Sequence, residues 1–74
     1  MKFIELSNLS KKQIKDTLKQ VAGVSFTLST KFVKQEKWNL FNNILPEILA
    51  AGFQLLEEKT EIGNFGTTKF FSKN

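Results

Sequence analysis

The sequence has no cysteine, no histidine and no tyrosine, a single proline, and no arginine, because all 11 basic residues are lysine. Without cysteine there is no disulfide to staple a small domain and no thiol nucleophile. Without cysteine or histidine the usual zinc-ligand sets are missing, and so is an imidazole that titrates near neutral pH. Without arginine the planar fork that grips phosphate, carboxylate or guanine through two parallel bonds is missing as well. No apolar run is long enough for a membrane helix, since Pro46, Glu47, Gly52 and Gln54 interrupt the longest stretch, residues 44–56. Carboxylate, lysine and hydroxyl groups are all that remain for catalysis. This points to a protein that is not an enzyme and uses no cofactor or metal.

What is there suffices for one small domain spanning residues 1–74. The chain is 41% hydrophobic, with eight phenylalanines and one tryptophan, and carries a formal charge of +4. Met1 runs directly into Lys2, Phe3, Ile4 and Glu5 with no leader pattern, so a cytoplasmic location is expected. The charge is unevenly placed. Residues 1–37 hold eight lysines against Glu5, Asp16 and Glu36, whereas residues 38–74 hold three lysines against four glutamates. A basic half beside a nearly neutral one suggests a face that attracts anions.

The hydrophobic periods place the elements. Residues 1–6 can form a short strand. Ser10 as N-cap and Gln13 at N3 make a capping box, and Leu9 with Ile14 makes a hydrophobic staple. Ile14, Leu18 and Val21 recur at helical spacing, and Gly23 supplies a C-terminal stop, which predicts a helix over residues 11–22. The period then changes to two: Val24, Phe26, Leu28, Thr30 and Phe32 alternate with Ser25, Thr27, Ser29 and Lys31, a strand with one buried face. Trp38, Phe41, Ile44, Leu45, Ile48 and Leu49 share one arc of a second helix over about residues 36–51, closed by Gly52. Pro46 on the opposite arc is expected to bend that helix or split it. Residues 53–60 open a strand, residues 63–66 supply a turn, and residues 67–72 return as the last strand.

The order β-α-β-α-β-β predicts an α+β fold of two layers, a four-stranded mixed sheet with both helices on one face. The competing arrangement is a winged helix, with the second helix as recognition helix and the terminal hairpin as wing. The alternation from Val24 to Phe32 argues against it.

The lysines are the main candidate site. Lys11 and Lys12 occupy the first helical turn, where the positive end of the helix dipole disfavours them, and Lys15 and Lys19 continue the row. Together with Lys31, Lys34 and Lys37 they form a candidate polyanion-binding set. A helix start with free amides and two lysines suits phosphate. Lysine without arginine favours backbone contact over base reading. Single strands would also need exposed aromatic rings, and only Phe65, in the turn, is a clear candidate; the other phenylalanines read mostly as core. Asp16 is expected to pair with Lys12 or Lys19. Glu57, Glu58 and Glu61 are close in sequence, but neighbours on a strand point to opposite faces, so they make no acid–base pair.

The stretch Ile44-Leu45-Pro46-Glu47-Ile48-Leu49-Ala50-Ala51-Gly52-Phe53 with its terminal hairpin resembles the second half of the TusA-type sulfur-carrier domain. That family carries sulfur on a Cys-Pro motif at the start of its first helix. Here that place reads Ser10-Lys11, so the resemblance implies the fold and not the sulfur relay. In element order the chain is also similar to the C-terminal domain of bacterial translation initiation factor 3 and to the Alba chromatin proteins, which bind nucleic acid.

The resulting expectation is a non-enzymatic module that docks a polyanion, foremost a nucleic-acid backbone, on the lysine row. The alternative is a small protein-binding inhibitor or adaptor of the phage or mobile-element type, acting through a sheet face or an edge strand. Lysine clustering would mark the first, and an exposed apolar patch or a free strand edge the second. A membrane partner is not expected, and a homodimer is compatible with either reading.

Overall fold

The computed structural model describes residues 2–29, 35–61 and 66–73. Six elements follow one another: β1 (Ile4–Glu5), α1 (Lys11–Leu18), β2 (Gly23–Ser29), α2 (Gln35–Ala50), β3 (Phe53–Glu61) and β4 (Gly66–Lys73). The strands form one sheet in the order β1-β2-β4-β3. β1 runs parallel to β2, and the other two pairings are antiparallel. The arrangement is the expected α+β sheet, and the winged helix is excluded because residues 23–29 form a strand that pairs on both sides.

One face of the sheet carries the core. Val24, Phe26 and Leu28 of β2, Phe53 of β3 and Phe71 of β4 meet Ile14 and Leu18 of α1 and Phe41, Ile44 and Ile48 of α2, all buried. The Phe41 ring lies 5.2 Å from Phe26 and 6.4 Å from Phe71, so α2 sits over the centre of the sheet. The period-two alternation of β2 is what aims its apolar residues at the helices. On α2 the buried arc is narrower than the sequence suggests: Leu49 is 53% exposed.

Two helix ends are explained by local chemistry. At the start of α1 the Ser10 hydroxyl accepts the Gln13 N–H at 3.2 Å, and the Gln13 side chain accepts the Ser10 N–H at 2.9 Å, the predicted box. At the end of α2, Gly52 adopts φ +94°, a left-handed conformation that costs other residues energy.

Two expectations are corrected. First, α1 ends at Leu18, not near residue 22, and Gly23 is not its stop. Lys19 and Gln20 turn back onto Asp16 and Thr17 with short-range bonds, and the Lys73 ammonium donates to the Leu18 carbonyl at 3.0 Å. Gly23 instead opens β2 opposite Ser72. Second, α2 is one continuous helix through Pro46, so the split allowed for there does not occur. Proline removes one ladder bond and crowds the carbonyl four residues back, but its ring is exposed and the turns around it are anchored in the core by Phe41, Ile44 and Ile48, so the helix carries on. The strand expected from Val24 to Phe32 is present through Ser29, and residues 30–32 lie outside the described residues.

Candidate functional site

The lysine row is divided by the fold. Lys15 points across to α2, where its ammonium lies 3.1 Å from Glu47 Oε1. Lys37, near the start of α2, donates to the Ser7 carbonyl and ties that helix to the β1–α1 connection. Lys31 and Lys34 lie outside the described residues, as does Phe65. Lys11 and Lys12 on α1 and Lys19 just past its end remain exposed, with no ion pair among the described residues. Asp16 does not pair with Lys12 or Lys19 either, which corrects that expectation: spacing along a helix brings such side chains within reach, but both ends are solvated and nothing holds them together.

The sheet face turned away from the helices carries its own pattern. Residues opposite one another across neighbouring strands share a face, so Ser25, Phe70 and Glu57 line up on the open side. Phe3 meets Phe70 edge to face at 5.0 Å, and the Lys59 ammonium stands 5.6 Å from the centre of the Phe70 ring. Thr27 and Thr68 are joined hydroxyl to hydroxyl at 3.2 Å. Sequence reasoning assigned most phenylalanines to the core and so missed Phe3 and Phe70. The signal was present, because Phe70 and Phe71 are consecutive and a strand can bury only one of them on a given face.

Glu5 closes one side of this surface. Its carboxylate accepts from the hydroxyls of Ser7, Ser25 and Thr27 at 2.8, 3.0 and 2.9 Å, and from the Thr27 N–H at 2.8 Å. Burial pushes its pKa up, but the donors from Ser7, Thr27 and Ser25 outweigh burial and hold it below the ordinary value. This carboxylate is therefore engaged as a structural acceptor that ties β1 to β2.

The remaining feature is β3, which forms one edge of the sheet and pairs only with β4 among the described residues. Gln54 to Thr60 are all exposed. The register shifts between Leu55, opposite Phe71, and Glu57, opposite Phe70, so Leu56 is an extra residue bulged out of the ladder. Leu55 and Leu56 are 52% and 58% exposed, two large adjacent side chains left in water. Beyond the bulge, Glu57 falls on the open face, while Glu58 turns to the helix side and pairs with Lys69. The sequence did place Glu57 and Glu58 on opposite faces. It could not show that the leucines before them lie on an edge strand of the sheet.

Comparison with protein-family models, curated proteins and solved structures gives no match. The likeness of element order to the sulfur-carrier, initiation-factor and Alba architectures thus has no matching solved structure beside it. Among the described residues, no group of histidine, cysteine, aspartate and glutamate could hold a metal ion, and no helix is long and apolar enough to cross a membrane.

Proposed function

We propose that this chain is a non-enzymatic binding module that docks a protein partner along β3. The observation that carries the reading is the edge of a nine-residue strand that pairs only with β4 among the described residues and on which Leu55 and Leu56 are both more than half exposed. A strand edge offers unpaired backbone donors and acceptors, and adjacent apolar side chains add burial when a partner covers them. The inhibitor or adaptor class fits such a surface. A cytoplasmic location belongs to the same proposal.

Docking of a nucleic-acid backbone is the second reading, and one observation favours it. Lys11 and Lys12 of α1 and Lys19 at its C-terminal cap are exposed cations with no ion pair among the described residues, and the capping box uses the amides of Ser10 and Gln13 but not those of Lys11 and Lys12. With Lys15 and Lys37 engaged elsewhere, the row is thinner than its seven members suggest. That is why it ranks second.

Photo-crosslinkers placed at Thr60 and, separately, at Lys12 test the two readings in cell extract. Expected is a protein adduct at position 60 that survives nuclease and disappears when Leu55 and Leu56 are both changed to Lys, with folding checked by circular dichroism. Nucleic-acid adducts at position 12 that fade steeply with salt would transfer the function to the lysine row. Adducts at neither position would end both readings.

A further inference from the structure

Resting on the reading of β3 as a docking edge, we infer that its partner segment is an extended stretch with basic residues first and apolar residues after them. The strand is chemically polarised along its length. Its first part, Phe53 to Leu56, is apolar apart from Gln54; its second part holds Glu57, Glu58 and Glu61 with Lys59. A chain of net charge +4 with seven acidic residues has placed three of them on this one edge.

Those charges are not equally available. Glu58 is neutralised by Lys69 on the neighbouring strand. Lys59 is drawn over the Phe70 ring. Glu57 is exposed, stands opposite Phe70 on the open face, and takes no hydrogen bond or ion pair among the described residues. The edge therefore presents an unengaged carboxylate just past two uncovered leucines.

A strand added antiparallel to β3 brings its N-terminal half beside Glu57 to Glu61 and its C-terminal half beside Leu55 and Leu56. Antiparallel pairing is the more stable and more common arrangement. Opposite charges facing each other across strands stabilise, and apolar side chains on the second half cover the leucines. The segment is thus recognised by order as well as by composition. A second copy of this chain fits less well, because antiparallel pairing would set the apolar half of each β3 beside the acidic half of the other, leaving Glu57 without a cation, while two chains of +4 repel.

Synthetic eight-residue peptides titrated into the isotope-labelled chain test this, with backbone amide shifts as the readout. One peptide is basic then apolar, one has the reverse order, one is acidic then apolar, and one is the first with N-methylated backbone. The basic-first peptide should shift the amides of β3 and bind about tenfold more tightly than the acidic one, as an attractive pair with Glu57 in place of a like-charge one would give. N-methylation should abolish binding, and Glu57→Lys should reverse the charge preference. If the acidic or reversed peptide binds β3 equally well, the chemistry assigned to the partner is wrong and the docking edge stands. If no peptide shifts β3 at millimolar concentration, the docking edge falls too. If sedimentation instead shows a dimer that Leu56→Lys dissociates, the occupant is a second copy and the inference is overturned.

Discussion

Glu5 accepts the backbone N–H of Thr27 at 2.8 Å, so a side chain continues the ladder where β1 has run out of residues. β1 contributes only two residues to the sheet, and the carboxylate extends its hold on β2 by binding Ser25 and Thr27 as well. Because folding lowers the pKa of Glu5, its contribution is present above the unfolded value, about 4.3, and is lost as pH falls through the folded value. Urea midpoints should therefore drop below about pH 4, and Glu5→Gln should flatten that acid limb while destabilising the protein at neutral pH by about 1–3 kcal/mol. An acid limb identical in the variant and the parent would mean that other carboxylates carry it.

Ser10→Ala removes the hydroxyl that receives the Gln13 amide. The expected loss is about 0.5–2 kcal/mol, read as a lower urea midpoint with an unchanged slope.

Lys11→Gln with Lys12→Gln should leave stability unchanged or raise it by a few tenths of a kcal/mol, since both charges sit at the positive end of the α1 dipole. Lys15→Gln differs because it breaks the pair with Glu47, one of whose carboxylate oxygens is buried with no hydrogen-bond partner among the described residues. It should lower stability, though by less than about 1 kcal/mol for a pair this exposed. Equal effects in the two variants would contradict the division of the row.

Gly52→Ala tests backbone conformation alone, because an added Cβ would meet nothing within 4 Å. A loss of about 1–2 kcal/mol is expected from the left-handed φ, and Gly52→Asn should lose less. A neutral alanine variant would show that α2 can end in another way.

Phe71→Ala and Phe70→Ala read out the strand register. Phe71 is 2% exposed in the core, and truncation should cost about 3–5 kcal/mol. Phe70 lies half-buried on the open face with Phe3, and its loss should cost markedly less, with about 0.5–1.5 kcal/mol from the ring pair. Comparable losses at the two positions would put both rings in one core.

Features set by neighbours in the chain were readable in advance. The Ser10–Gln13 box, the stop at Gly52 and the alternation through Val24, Phe26 and Leu28 each depend on residues within one turn or one strand. What was not readable depends on partners far apart in sequence. Lys15 meets Glu47 and Lys37 meets Ser7 only once the helices are docked. The early end of α1 follows from Gly23 being needed opposite Ser72 and from Lys73 reaching the Leu18 carbonyl. The bulge at Leu56 decides which charges of β3 face which way, and no local pattern announced it.

The sheet order has a consequence for the route to the folded state. β4 follows β3 in the chain, yet it is the strand that joins β3 to β2. During synthesis from the N-terminus, β2 and β3 therefore emerge with no strand between them. Each holds an unsatisfied hydrogen-bonding edge and uncovered side chains such as Phe26 and Phe53 until residues 66–73 appear. Such long-range pairing is slow to nucleate, and nascent chains in this state are prone to bind one another. Ribosome-stalled chains ending before Gly66 should accordingly remain protease-sensitive and chaperone-bound, and protection should arrive in one step as β4 slots between its two partners.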